Sequence, residues 1–112
     1  MDIIGIAALA ASPGGTARFE GADHGSSVSF FVVRSETGRG AARHRHPYDE
    51  TFVILEGVIE VIVDDVLRML QPGTIAVIPA GSWHEFTNRS PHRALMVNIH
   101  ASPRIIQEDW RD

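Results

Sequence analysis

The sequence predicts an all-β fold, a sandwich or barrel of short strands. Three observations carry that reading. Short runs rich in β-branched and aromatic residues recur along the chain. Gly, Pro and Asp turn signals bound them at regular intervals. No segment sustains a helical period over a useful length.

The elements follow in order. Ser12-Pro13-Gly14-Gly15 is a turn and Thr16 to Glu20 a short strand. Gly21 to Gly25 is a loop, and Val28 to Arg34 is β-branched and aromatic enough for a strand. Gly38-Arg39-Gly40 is a flexible loop that leads into a strand containing His44 and His46. Thr51 to Leu55 reads as a buried strand turned by Glu56-Gly57. Val58 to Val63 and Val66 to Leu70 flank Asp64-Asp65, a tight hairpin turn. Thr74 to Ile78 and Trp83 to Thr87 are strands separated by Pro79-Ala80-Gly81. Ala94 to His100 is the last long strand, and the tail from Ile105 to Trp110 is a strand or a helical turn.

Alternation assigns faces. Glu60 is the charge in its strand, so Ile59, Val61 and Val63 are expected inward. Arg68 likewise suggests Leu67 and Met69 inward. On the last strand the aliphatic row Leu95, Val97 and Ile99 is expected in the core. The mixed row Met96, Asn98 and His100 is then outside, the alternative being that Asn98 and His100 line a pocket wall.

The 112 residues suffice for one domain and one core. Residues 1–15 form an N-terminal arm or strand. A hydrophobic content of 44% with 21% charge is ordinary for a globular protein. The formal charge of −4 argues against a general nucleic-acid binder, which needs a basic face. There is no cysteine, so disulfides and thiolate metal sites are ruled out, and any metal must be held by nitrogen and oxygen. The apolar stretch Ile3 to Ala11 lacks the positive start of a secretory leader, and no run is long enough to span a bilayer. A cytoplasmic protein without membrane association is expected.

The chemistry-bearing residues lie in two glycine-bounded segments, 38–57 and 73–88. His44 and His46 are one residue apart and point the same way from an extended strand. Glu50 keeps that parity across the bend at Pro47. His84 follows the second turn. A single buried histidine is more often a hydrogen-bonded core residue than a ligand; four such groups at this spacing make a metal site the better reading. Glu50 has a non-ligating base as its alternative role.

These segments resemble the two motifs of the cupin family. The first is carried by Gly38, His44, His46, Glu50 and Gly57, the second by Gly73, Pro79, Gly81, His84 and Asn88. Thr74 departs from the Asp that many cupins carry there, at a position that is not a ligand. The resemblance implies a double-stranded β-helix, the jelly-roll cupin barrel, and one divalent metal ion bound by His44, His46, Glu50 and His84. Three neutral imidazoles and one carboxylate suit Fe, Mn, Ni, Cu, Zn or Co. A six-coordinate ion would keep two positions for water, substrate or dioxygen.

Around that site, Phe52 and Phe86 share parity with Glu50 and His84 and are candidates to line a pocket. Tyr48 is a catalytic candidate as a proton donor, against the plain alternative of a surface tyrosine. Asn88 is expected to tighten a turn. Trp83 has the opposite parity and faces away, toward a possible subunit interface. Arg43 and Arg45 alternate away from the histidines, at a solvated strand edge. His24 and His92 are expected in solvent. The family resemblance leads to a metal-dependent enzyme acting on a small oxygenated molecule, a dioxygenase first. A redox-inert isomerase or lyase, or a non-catalytic ligand-binding or sensing domain, is the alternative. A homodimer is expected, from family habit and from exposed sheet area.

Overall fold

A computed structural model describes all residues, 1–112. The strands are β1 (Ala10–Ala11), β2 (Ala17–Phe19), β3 (Ser29–Ser35), β4 (Gly40–Arg45), β5 (Glu50–Glu56) and β6 (Ile59–Val63). They continue with β7 (Val66–Leu70), β8 (Ile75–Ile78), β9 (His84–Asn88), β10 (Ala94–His100) and β11 (Glu108–Asp109). Short 3-10 turns occupy Ile6–Ala8 and Gly21–His24. No helix is long and apolar enough to cross a membrane.

Two antiparallel sheets face each other. One has the order β1-β2-β3-β10-β5-β8, the other β11-β4-β9-β6-β7. Chain neighbours β4 and β5, and β8 and β9, sit in different sheets, as in a double-stranded β-helix. The core between the layers is built from Val33, Phe52, Ile54, Ile59, Val61, Leu70, Ile78, Phe86, Ala94 and Met96. Phe52, Ile54, Ile59 and Met96 expose no surface at all, and burying a side chain of this size contributes about 1.5–3 kcal/mol.

Turn chemistry sets the registers. Asp64 and Asp65 both have positive φ, 46° and 67°, which is the hairpin geometry that matches strand twist. Val63 therefore pairs with Val66 and Val61 with Arg68. Gly57 lies at φ 86°, where a Cβ would sit 2.8 Å from the Ala94 Cβ, so both its conformation and its space call for glycine.

Three expectations about faces are corrected. Leu67 and Met69 are exposed, at 48% and 45%. The register aligns Met69 with Glu60 and Leu67 with Ile62, on the outer face, while Arg68 shares the face of Val61. Because β7 is the edge strand, only Leu70 reaches the core and Arg68 can lie on that face in solvent. On β10 the rows are the reverse of the expectation. Met96, Asn98 and His100 are buried, and Leu95, Val97 and Ile99 are half-buried on the other face. Register is the reason: His100 pairs with Glu50 and Asn98 with Phe52, whose side chains already point between the sheets. His24 is not simply solvated, since its ring stacks on Phe19 at 4.7 Å and its Nδ1 lies 2.8 Å from Asp2. His92 is exposed, as expected.

Candidate metal centre

Both sheets contribute to one end of the sandwich. His44 on β4 and His84 on β9 are cross-strand partners in one sheet. Glu50 on β5 and His100 on β10 are cross-strand partners in the other. His46 comes from the bend between β4 and β5, where its carbonyl accepts the Gly81 N–H at 2.8 Å. That bend is tied further by the Ala80 N–H, which donates to Asp49 Oδ1 at 3.0 Å. Gly81, at φ 80°, lets the β8–β9 turn close against it.

The expected ligands His44, His46, Glu50 and His84 are all buried, and one ligand atom from each lies within 4.8 Å of the others. This cluster could hold a metal ion. Each of the three imidazoles has committed its Nδ1–H to a backbone carbonyl. His44 donates to Ala42 O at 2.6 Å, His46 to Ile106 O at 2.7 Å and His84 to Ser82 O at 2.8 Å. A carbonyl can only accept, so Nδ1 carries the proton and the neutral ring presents a bare Nε2. Glu50 Oε1 stands 2.9 Å from His84 Nε2 and 3.3 Å from His46 Nε2. His46 Nε2 is buried and makes no hydrogen bond. A bare Nε2 facing a carboxylate oxygen is repelled unless a proton or a cation lies between them. A proton serves for His84 Nε2 and Glu50 Oε1 at 2.9 Å, and a divalent ion of the nitrogen–oxygen class fits the whole donor set.

Protonation behaviour reports the same crowding. Burial alone would raise the Glu50 carboxyl, but the imidazoles of His100, His46 and His84 hold it well below the usual carboxylate range. Burial pushes His44 down, against the pull of its bond to Ala42. For His84, burial also works downward, yet contact with Glu50 and Ser82 outweighs it and leaves the ring raised.

Behind these four side chains lies a second layer. His100 is 1% exposed, and its Nε2 is 3.0 Å from Glu50 Oε2, close but off the line of a hydrogen bond. The Tyr48 hydroxyl is 2.6 Å from His100 Nδ1 and accepts the Ile106 N–H at 3.2 Å. Burial raises the Tyr48 phenol above its ordinary value, which suits a hydroxyl that donates to His100. The Tyr48 ring stacks on His46 at 5.1 Å. Tyr48 is thus half-buried and engaged rather than a free surface residue. Sequence reasoning placed His100 outside; its shared row with Asn98 was the available signal.

The tail completes the wall. β11 pairs with β4 at Arg45 and His44. Arg45 lies over the Trp83 ring and contacts Glu108 at 3.0 Å, and Arg43 lies over Trp110. Trp83 faces away from the histidines and packs edge-on against Trp110 at 4.9 Å. Asn88 tightens its turn. Its Nδ2 donates to Ser35 and His92 carbonyls, each at 2.9 Å, and its Oδ1 accepts from the Ser90 N–H. A cavity of about 920 Å³ opens from His44, Glu50 and His100 and runs past Phe31, Val33 and Asn98 to Ser35 and Arg39. Of the two expected wall residues, Phe86 lines it. Phe52 is one layer behind, fully buried, 5.6 Å from Phe86 and 6.4 Å from His84 between ring centres.

Comparison with known proteins agrees with this architecture. The family described as Cupin domain matches residues 31–100. Protein SchB of Streptomyces halstedii is 37% identical over 79 residues, 70% of this chain and 55% of its own length, so the chain spans about half of that relative. An uncharacterised Klebsiella pneumoniae protein with a double-stranded β-helix domain superposes with a TM-score of 0.75 at 21% identity, covering 95% of this chain and 88% of that one. An oxalate oxidase superposes with a TM-score of 0.75 at 23% identity, covering 88% of this chain and 56% of that one. At such identities the likeness is one of fold.

Proposed function

The chain belongs to the cupin domain family, and from that premise we propose that it is a mononuclear metal-dependent enzyme acting on a small oxygenated molecule, an oxidoreductase of the dioxygenase kind. The observation that carries the proposal is the convergence of one ligand atom from each of His44, His46, Glu50 and His84 within 4.8 Å, with the Nδ1–H of all three rings engaged elsewhere.

His44, His46 and His84 would hold the ion through Nε2 and Glu50 through Oε1. A divalent ion there supplies Lewis acidity, or a centre for dioxygen. The chain does the rest. One carboxylate against three neutral rings keeps a net charge near +1 with the ion, which favours an anionic or strongly polar oxygen donor. Phe31, Val33 and Phe86 give the approach to the cluster an apolar side. The Tyr48 hydroxyl keeps its proton and, through His100, steadies the far oxygen of Glu50. The oxidoreductase reading takes support from the fold shared with an oxalate oxidase, of which the chain spans 56%. Ions of the set Fe, Mn, Ni, Cu, Zn or Co suit the donors. The partner is a small molecule, with a second copy of the chain as a homodimer.

The test is elemental analysis of natively purified protein, followed by dioxygen uptake with the protein loaded with its native ion. A redox-active ion with substrate-dependent dioxygen consumption supports the proposal. A substrate changed without dioxygen uptake assigns an isomerase or lyase, and ligand bound but recovered unchanged assigns a binding domain.

A further inference from the structure

We infer that Asn98 is a ligand-contacting residue, and that the ligand is a hydroxylated, partly apolar molecule larger than a two-carbon diacid. The inference rests on the metal reading above and extends it to the substrate class.

Asn98 is 4% exposed and its Oδ1 has no hydrogen-bond partner anywhere in the protein. A buried amide without a partner is costly, and native proteins rarely keep one without a reason. This one lines the cavity that opens from the metal cluster. Ser35 Oγ is a second buried, unpartnered oxygen in the same wall. The two atoms have a chemical demand in common. A ligand hydroxyl satisfies either, since it can donate to an oxygen or accept from an amide N–H.

Strand geometry gives the scale of this wall. Asn98 and His100 are two residues apart on β10, and His100 pairs with Glu50. Two residues of strand span about 7 Å. Ser35 pairs with Ala94, six residues from His100, or about 20 Å along the strand. These spacings run between backbone positions and set the scale of the wall, not the length of the ligand. Oxalate, which as a dianion only accepts hydrogen bonds, has no hydroxyl to offer Asn98 Oδ1. Phe31, Val33 and Phe86 offer apolar surface to a ligand, beside Arg34, Arg39 and Arg43 in the same lining, and a cavity of about 920 Å³ is in the range of sites that take molecules of drug size.

The test uses wild-type chain and Asn98→Leu, both loaded with Co(II) under anaerobic conditions. Wild type must first hold one Co(II) per chain. Failure there removes the metal reading, whereas a failure at the later steps removes only this inference. Oxalate, phenylpyruvate and 4-hydroxyphenylpyruvate are then titrated calorimetrically. All three offer a similar oxygen pair to the ion, and only the last carries a distal hydroxyl. Wild type is expected to bind 4-hydroxyphenylpyruvate about tenfold or more tightly than phenylpyruvate. Asn98→Leu is expected to bind the two alike and to bind oxalate as wild type does. Equal affinities in wild type, or the same preference in both proteins, overturns the inference. A ligand-free measurement stands beside it. If the amide serves a ligand, Asn98→Leu melts about 5 °C higher, because an unsatisfied group is removed from the interior. A clear fall in melting temperature would show that the amide serves the fold and would overturn the inference as well.

Discussion

The Tyr48 hydroxyl stands 2.6 Å from His100 Nδ1, and the opposite nitrogen of that ring is 3.0 Å from Glu50 Oε2. The phenol, the imidazole and the carboxylate form a line, hydrogen-bonded at its first link and in close contact at its second. Tyr48→Phe would leave His100 Nδ1 buried without a donor. Loss of such an outer partner typically weakens metal affinity by roughly 10-fold to 100-fold. Competition with a chromophoric chelator is expected to show a loss of that order for Tyr48→Phe and a larger one for His100→Phe. Affinities equal to wild type in both would leave the line without a role at the metal.

His46→Ala is expected to bring bound metal well below one ion per chain by elemental analysis. Its Nε2 is buried without a hydrogen bond, so its removal takes away a donor that nothing nearby replaces. Full occupancy in the variant would strike His46 from the ligand set.

Metal retention is expected to fall on acidification. In the metal-free site His84 is raised, so it takes up a proton at a higher pH than an ordinary imidazole, and an entering ion must displace that proton. His44 is lowered and competes for protons only at more acid pH. Glu50 is held far down and stays a carboxylate throughout. Loss therefore begins at the upper end of the imidazole range and is extensive by about pH 4.5–5. Occupancy unchanged at that pH, measured after gel filtration into metal-free buffer, contradicts three histidine ligands.

Removing residues 106–112 takes away the carbonyl that holds His46 Nδ1–H and the N–H that donates to Tyr48. The truncated chain is expected to fold with weakened metal affinity, again by roughly tenfold. Chelator competition with wild-type affinity would show that β11 is dispensable for the site.

A homodimer is expected by light scattering. Ile75 and Val77 on the edge strand β8 are 67% and 63% exposed, and Leu55 on neighbouring β5 is 50% exposed. Val77→Lys is expected to shift the equilibrium toward monomer. A monomeric wild type refutes the expectation.

The clustering of His44, His46, Glu50 and His84 was legible in the sequence because strand parity and fixed spacing are local properties. His44, His46 and Glu50 lie within seven residues, and the turn at Pro79 to Gly81 places His84. Gly57 and Gly81 at positive φ, and the Asp64-Asp65 hairpin, were readable for the same reason. What was not readable depends on pairing between distant strands. Leu67 and Met69 look inward until the hairpin register sets Met69 beside Glu60. His100 and Asn98 look like an outer row until β10 is aligned with β5. The hold of Ile106 on His46 spans 60 residues and uses backbone atoms that carry no signature of residue type.

The cross-strand pairs His44–His84 and Glu50–His100 belong to opposite layers. An ion held by His44 and His84 on one side and Glu50 on the other would rivet the two halves of the sandwich, Glu50 and His84 being 34 positions apart in the chain. Thermal endurance would then track the free concentration of that ion, since whatever binds only the folded form stabilises it by mass action.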